Sequence, residues 1–302
     1  MTAMSIATST GVPPAQPPRT PNAVRRSVNA KAARRKWAAA IAQLVVVVVL
    51  LAPIIWMYVA AFRPDLDIRS GRLLPRSLTF GNFTALFQYD VVKTAFINSV
   101  LVAAAVSVVT TCAAIAAAYA ITRLRFRGRG PTMALVLTAQ LVPGLVVLVP
   151  LVVVMRQLGL SDSLVGLGIA HLTLGLPIAV MLLRNYLADI PKSLEEAAMI
   201  DGCSVLGALW RVILPLLKPA IVAVTAFSFI LSWGEYLLAL SLISSDDQKT
   251  LPLAMQSLFQ LNTVDLGVVM AFGVLISFPV ALLFMVIQRN LVSNLAMGGV
   301  KE

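Results

Sequence analysis

Few residues in the long apolar segments of this sequence could carry chemistry. His171 is the single histidine, Glu235 lies inside another apolar segment, and Gln140 and Pro143 lie in a third. Buried imidazole, carboxylate and amide groups can contact a polar solute or an ion, or form hydrogen bonds between helices. We expect His171 to hydrogen-bond across a helix interface. For Glu235 a hydrogen bond of this kind and a contact with solute are equally favoured.

The motifs of nucleotide, zinc and thiol chemistry are missing. The sequence has no Gly-Lys dipeptide, and therefore no phosphate-binding loop, and it has no His-Glu-x-x-His and no Cys-x-x-Cys. Cys112 falls in an apolar segment and Cys203 in a polar one, so we do not expect a disulfide. The sequence predicts that the chain neither binds nor hydrolyses ATP and holds no metal or other cofactor itself.

A polar segment between two apolar stretches predicts a short helix-turn-helix. Ser193 and Glu196 have the spacing of a capping box at the start of the first helix. Gly202 suits a left-handed residue that ends this helix, Ser204 can cap the second helix, and Pro215 is expected to end it.

The second of these helices carries an apolar stripe. Its residues recur at intervals of three and four, and they are Leu206, Leu209, Trp210 and Ile213. Such a stripe can lie on lipid headgroups or fill a groove on a partner protein. Because Glu195, Glu196 and Asp201 accompany only one basic residue, Arg211, anionic headgroups would repel the pair. A protein groove is therefore favoured.

Composition indicates a helical membrane protein. Of the 302 residues, 59% are hydrophobic and 12% are charged, and the mean hydropathy is +0.89, whereas a soluble domain carries about 25% charged residues. Several apolar stretches exceed the length that a membrane span requires. We predict an all-α protein with six transmembrane helices, over residues 37–62, 94–121, 131–155, 164–187, 219–243 and 266–287.

Prolines suggest which span lines a cavity. The third span contains Pro143 and Pro150, and prolines break or bend membrane helices, often beside a cavity. We take Gln140, Pro143, His171 and Glu235 as candidates for a translocation path. In the second span Thr110, Ala114 and Ala118 are spaced by four, which favours close helix packing.

The distribution of basic residues gives an orientation. Seventeen of the 24 Lys and Arg residues fall on the side that holds both termini, which places both termini in the cytoplasm and the chain in the plasma membrane. This placement also explains the net charge of +11 without a nucleic-acid partner. Residues 1–36, which are rich in Pro and Arg, are expected to be a disordered tail before a transmembrane domain over residues 37–290, and residues 291–302 a cytoplasmic tail.

The helix-turn-helix resembles the EAA loop of ATP-binding-cassette (ABC) importer permeases, Glu-Ala-Ala-x-x-x-Gly-x9-Ile-x-Leu-Pro. Glu196-Ala197-Ala198, Gly202 and Leu214-Pro215 fit this pattern, with Val212 in the Ile position. The resemblance extends over most of the chain after Trp37 and is closest to the MalG-like half of maltose-type carbohydrate importers. One departure is Gly234, which stands where the Trp-Asn-Glu stretch of that family has Asn.

The resemblance implies the type I ABC importer permease fold, a pore subunit that is not itself an enzyme, and a set of partners. These are a second similar permease, two cytoplasmic ATPases that bind ATP and Mg, an extracytoplasmic solute-binding protein, membrane lipid and a sugar. It implies that residues 190–218 couple to the ATPases and that Gly298, Gly299 and Lys301 contact them. The implied coupling residues are Glu196, Ala197, Ala198, Asp201, Gly202, Leu206, Leu209, Trp210, Leu214 and Pro215.

Two other classes of protein remain open at this point. An ion-coupled secondary transporter usually carries several intramembrane acids, and a membrane-embedded enzyme needs a cluster of His, Asp or Glu. In the predicted spans, Glu235 is the one clear acid for ion coupling, and only His171 and Glu235 could belong to such a cluster. The sequence does not identify the transported solute.

Overall fold

A computed structural model describes residues 21–72, 75–260 and 265–298, and in these ranges all regular structure is helical. The helices are α1 Pro21–Ala61, α2 Asp65–Arg69, α3 Gly81–Leu86, α4 Asp90–Arg123, α5 Arg129–Leu141, α6 Gly144–Gln157, α7 Leu164–Asp189, α8 Ser193–Ile200, α9 Val205–Ala208, α10 Leu214–Trp233, α11 Leu237–Leu242, α12 Leu251–Gln260 and α13 Leu266–Gly298. A π-helical turn, Leu209–Ile213, joins α9 to α10, and a 3₁₀ turn, Asp246–Gln248, precedes α12.

The chain divides into two units, Met1–Trp56 and Met57–Glu302. The described part of the first unit is a single stretch of α1, and its side chains over residues 35–55 are exposed and mostly apolar, as suits contact with lipid. The helix begins at Pro21, so residues 21–36 are helical, contrary to the expected disorder. Proline is favoured at the first helical position, and the Ala, Arg and Lys residues that follow are strong helix formers. The remainder of the expected tail, residues 1–20, lies outside the described residues.

The core of the second unit is built on α4, which packs along α7 and α10. The small residues Thr110, Ala114 and Ala118 of α4 are buried as predicted, and their size allows the neighbouring helices to approach closely. Near the end of α4, a buried apolar cluster also takes in Leu183 of α7 and Ile213 of the π-helical turn. The bundle end that carries the helix-turn-helix is therefore firmly packed.

The third predicted span is broken into two helices. α5 and α6 meet at an angle of 105°. Val142 is extended and Pro143 immediately precedes α6, because a residue before proline is pushed out of the helical conformation and proline donates no backbone hydrogen bond. Pro150, in contrast, lies inside α6 without breaking it.

Contacts at the two ends of the bundle show that the broken pair crosses from one end to the other. Arg123, the last residue of α4, bonds to the carbonyl of Ile190 just after α7, so α4 and α7 finish at the same end. At the opposite end, Asn98 near the start of α4 bonds to loop residues 247 and 249, and Asp162 just before α7 bonds to Ser245. Since α4 and α7 run in the same direction, α5 and α6 must carry the chain back between them. Within the described residues, five continuous helices and this pair give the six predicted spans.

The fifth span differs from its predicted extent. It begins earlier, because Val205–Trp233 forms one membrane-length helical segment, and Pro215 does not end a helix. In the π-helical turn the amide of Leu214 bonds to the carbonyl of Leu209, five residues earlier, and this wider turn accommodates the proline ring. The span breaks after Trp233, and α11 completes it.

Candidate functional site

Glu235 lies within the fifth span as predicted, but in the break between α10 and α11 and therefore outside a regular helix. Its carboxylate accepts hydrogen bonds from the amides of Leu238, at 2.9 and 3.0 Å, and Ala239, at 3.2 Å. These are the amides of the first turn of α11, which have no partner inside the helix. Glu235 therefore faces the protein and stabilises the start of α11.

His171 joins this break to α7. Its Nδ1 lies 2.7 Å from the hydroxyl of Ser232, so the predicted hydrogen bond across a helix interface is confirmed. Its Nε2 lies 3.4 Å from the Glu235 carboxylate, which is long for a hydrogen bond, and among the described residues it has no other partner. The His171 side chain is 1% exposed and that of Glu235 is 12% exposed, so the pair is almost enclosed.

Two cavities adjoin these groups. One of about 280 Å³ lies beside Glu235, and one of about 350 Å³ lies beside Gln140. Both are walled by Gly144 and Val147 of α6 and by Leu174 of α7, so the breaks in the third and fifth spans open onto neighbouring spaces. A larger groove of about 460 Å³, which includes Leu101 and Gly168 in its walls, has an entirely apolar lining and lies between α4 and α7.

The structure brings some of the predicted path residues together and separates others. His171 and Glu235 form one cluster, Gln140 lines the second cavity, and Pro143 forms the break between α5 and α6. Sequence reasoning missed Ser232 and Thr173, which contribute hydroxyl groups to the cluster and to the second cavity. The sequence feature that could have indicated Ser232 is its spacing of three residues from Glu235. No sequence feature indicated Thr173.

The helix-turn-helix has the predicted turn. Gly202 has φ +91°, the left-handed conformation that glycine adopts without strain. The hydroxyl of Ser204 accepts a hydrogen bond from the amide of Gly207 at 3.1 Å, as expected of a cap. The capping box is wrong, because α8 already includes Ser193 and its preceding residue, Lys192, makes no side-chain cap bond.

The predicted apolar stripe is divided between the core and the surface. Ile213 is fully buried and Leu209 is half-buried, whereas Leu206 and Trp210 are 66% and 69% exposed. The π-helical turn changes the helical phase, which explains why residues spaced for one α-helical face separate. Ile200, 86% exposed, joins Leu206 and Trp210 on the outside of the pair.

Most of the residues matched to the coupling motif lie at the surface. Glu196, Ala197, Asp201, Gly202, Leu206, Trp210 and Pro215 are exposed, and Ala198, Leu209 and Leu214 are half-buried. We call the outer face of residues 196–210 the coupling surface. It combines large apolar side chains with two acidic residues, Glu196 and Asp201.

One acidic residue beside this surface is buried. The Glu195 carboxylate accepts a hydrogen bond from Nε of Arg123 and another from the hydroxyl of Tyr119, at 3.2 Å. Arg123 also donates from Nη2 to the carbonyl of Ile190, at 2.8 Å. Residues of α4 thus hold α8 directly, a role that sequence spacing did not reveal.

A hydrogen-bonded clasp closes the opposite end of the bundle. Asp162, at φ +53°, accepts bonds from the Ser245 hydroxyl and from the amides of Ser245 and Ser244. These bonds, that of the Ser245 hydroxyl above all, hold the pKa of the Asp162 carboxyl below its ordinary value, since they favour the ionised form. Asn98 fixes the same loop through the carbonyls of Asp247 and Lys249, at 2.8 and 2.9 Å.

The remaining predicted sites are only partly described. Gly298 is the last residue of α13, so residues 291–298 continue a helix, and Gly299 and Lys301 lie outside the described residues. Within the described ranges no group of three or more His, Cys, Asp or Glu side chains is placed to hold a metal ion. Cys112 and Cys203 are unpaired thiols.

Sequence comparison identifies the family. Residues 109–296, more than half of the chain, match the family described as binding-protein-dependent transport system inner membrane component. The chain belongs to this family. It is thus a multi-pass membrane protein and an ABC transporter permease, and an ion-coupled transporter finds no support.

Two curated permeases are similar over most of their length. A diacetylchitobiose uptake system permease protein of Streptomyces coelicolor is 35% identical over 254 residues, which cover 83% of this chain and 92% of that protein. A trehalose transport system permease protein of Mycobacterium tuberculosis is 32% identical over 274 residues, 89% of this chain and 99% of that protein.

A solved structure shares the fold of this permease. A chain of a bacterial ABC transporter involved in the import of the acidic polysaccharide alginate superposes with a TM-score of 0.73 at 24% identity, covering 91% of this chain and 99% of that one. The all-α permease fold predicted from the sequence is confirmed.

Proposed function

We propose that this permease forms half of the translocation path of a sugar importer and couples it to two cytoplasmic ATPases. The observation that carries the proposal is that one chain of this family combines cavities at two broken helices with an exposed apolar coupling surface at one end of the bundle. A second, similar permease supplies the other half of the path. A solute-binding protein delivers the sugar on the opposite side.

The cavities suit a neutral, hydroxyl-rich solute. Apolar walls from α6 and α7 can pack against a sugar ring, and the Gln140 amide can exchange hydrogen bonds with its hydroxyls. The Thr173 hydroxyl, which donates to the Ala170 carbonyl, can accept from them. The Glu235 oxygens are already engaged by α11, so this residue shapes the path rather than holding an ion. The named substrates of the relatives, diacetylchitobiose and trehalose, support the sugar class.

The coupling surface suits a groove on an ATPase. Leu206, Trp210 and Ile200 leave large apolar areas exposed, which an apolar groove on a partner protein would bury. Glu196 and Asp201 beside them favour a groove with a basic rim. ATP and Mg are bound by the ATPases, and this chain holds neither.

Uptake and purification together test the proposal. A strain that lacks this gene should lose uptake of at least one labelled sugar among trehalose, diacetylchitobiose and arabino-oligosaccharides, and the intact gene should restore it. A tagged chain should carry ATP-hydrolysing activity through purification, and uptake of labelled proline should not change. A tagged chain without an ATPase, or unchanged uptake of every sugar, contradicts the proposal.

We also propose that the C-terminal residues, Gly298, Gly299 and Lys301 among them, contact the ATPases. The supporting feature is the Gly-Gly pair, which allows a close backbone approach. Deletion of residues 297–302 should alter the rate of ATP hydrolysis or its coupling to uptake at an unchanged membrane level of the chain. Unchanged uptake and hydrolysis kinetics would contradict this contact.

A further inference from the structure

The joint between α7 and α8 is short and is bridged by one side chain. Only Ile190, Pro191 and Lys192 connect the two helices. Backbone bonding of α7 ends with the Ile190 amide, and that of α8 begins with the Pro191 carbonyl. Arg123 spans the joint, because its guanidinium bonds to the Ile190 carbonyl on one side and to the Glu195 carboxylate on the other.

This bridge is enclosed. The side chains of Arg123 and Glu195 are 6% and 8% exposed, and Tyr119, one turn before Arg123 on α4, donates to the second carboxylate oxygen. An arginine can make these directed bonds at once, since its guanidinium presents several donors in one plane. α4, the end of α7 and α8 are thereby held as one body.

We infer that Arg123, Glu195 and Tyr119 are positioning residues that lock the coupling helix α8 to α4 and α7. The inference rests on the proposed function, in which an ATPase pushes on the coupling surface. With the joint locked, a displacement of α8 moves α4 and α7 together, and α7 carries Leu174, which lines both cavities. With the joint free, α8 can turn about Pro191 without moving them.

The alternative, that the Arg123–Glu195 pair only stabilises the fold, predicts a different result. A buried ion pair loses hydration on burial, and apolar residues of similar size are often at least as stabilising. The variant Arg123→Leu/Glu195→Leu leaves no unpaired buried charge, so the chain should insert normally. If the pair only stabilised the fold, this variant would transport like the wild type.

The experiment compares this apolar pair with the exchanged pair Arg123→Glu/Glu195→Arg and with Arg125→Leu/Asp189→Leu. The last is a matched control, because both residues are exposed, lie near the same end and lose the same charges. At equal membrane levels, the maximal uptake rate of the sugar found in the uptake panel should fall roughly two- to thirtyfold in the apolar pair. Its half-saturation concentration should stay constant, and the exchanged pair should recover part of the rate.

Hydrogen exchange of the tagged chain in nanodiscs supplies a second measurement that needs no sugar. Amides of residues 193–200 should exchange faster in the apolar pair than in the wild type or the control. Wild-type exchange in the apolar pair, or a maximal rate equal to that of the control, overturns the inference. If the wild type carries no ATPase and imports no sugar of the panel, the proposed function fails instead, and hydrogen exchange alone decides whether the joint is locked.

Discussion

At the scale of single residues, the polar groups inside this permease form their hydrogen bonds at the ends of helices, and these bonds come before any contact with a solute. Glu235 binds amides of the first turn of α11, His171 of α7 bonds to Ser232 near the end of α10, and Glu195 at the start of α8 bonds to Arg123 of α4. A chain that breaks its helices inside a membrane must satisfy the freed backbone groups, and Glu235 does so at the start of α11. Its position beside a cavity is a consequence of where the fifth span breaks.

The charge of Glu235 can be tested by Glu235→Gln. The amide keeps one acceptor for α11 but replaces the other carboxylate oxygen with a donor, and it removes the charge facing His171. We expect normal membrane insertion and slower uptake. The stability of the folded chain should fall by about 1 kcal/mol, because the start of α11 loses part of its cap. Labelled-sugar uptake and thermal unfolding should be measured beside Asp90→Asn, whose carboxylate is 94% exposed. Uptake affinity and rate equal to wild type would show that the charge is unnecessary.

The Asp162 clasp should open in acid. Because its folded pKa is lowered, its contribution to stability is complete above the ordinary value of about 4 and is lost as the pH falls through the lower folded value. Hydrogen exchange at Ser244 and Ser245, corrected for its intrinsic pH dependence, should therefore rise below about pH 4. In Asp162→Asn this exchange should be fast already at neutral pH and show no further step. A wild-type clasp that stays protected in acid would contradict the assignment.

At the scale of elements, the sequence predicted what depends on hydropathy and local turn chemistry. The positions of the six spans, the left-handed Gly202 and the cap at Ser204 follow from such local signals. The break before α11 and the π-helical turn did not follow from such signals, because both depend on hydrogen bonds that close over three to five residues in a packed bundle. The bridge from Arg123 to Glu195 joins residues 72 apart in sequence, and no spacing rule reaches that far.

The angle between α8 and α9 should depend on Gly202. A valine at this left-handed position costs roughly 1–2 kcal/mol, although the space around it is open, so strain rather than a clash is tested. We expect Gly202→Val to insert normally and to retain less ATPase through purification. Gly130→Val is the control, since Gly130 also faces open space but is absent from the positive-φ glycines. Full ATPase retention together with full uptake in Gly202→Val would remove the turn from the coupling path.

At the scale of the whole molecule, contacts at both ends fix the topology more firmly than hydropathy does. A bent helix pair such as α5 and α6 can either cross a membrane or return to the side it entered. The bond from Arg123 to Ile190 and the clasp at Asp162 require α4 and α7 to run in the same direction, so the pair crosses. The number of spans among the described residues is then even, which agrees with the prediction that both termini lie on one side.

The basic residues predict which side of the bundle faces the cytoplasm, and cysteine labelling can test this prediction. Seventeen of the 24 Lys and Arg residues fall in segments that the predicted spans place on the side of the coupling surface, and membrane proteins retain such segments inside. In a Cys112→Ser/Cys203→Ser background, Ser77→Cys lies in an exposed loop of the opposite end and Ala188→Cys is exposed at the end of α7. An impermeant maleimide should label Ser77→Cys in intact cells and Ala188→Cys only after permeabilisation. Labelling of Ala188→Cys in intact cells would show that the orientation is the opposite of the predicted one. The coupling surface would then be out of reach of any cytoplasmic ATPase.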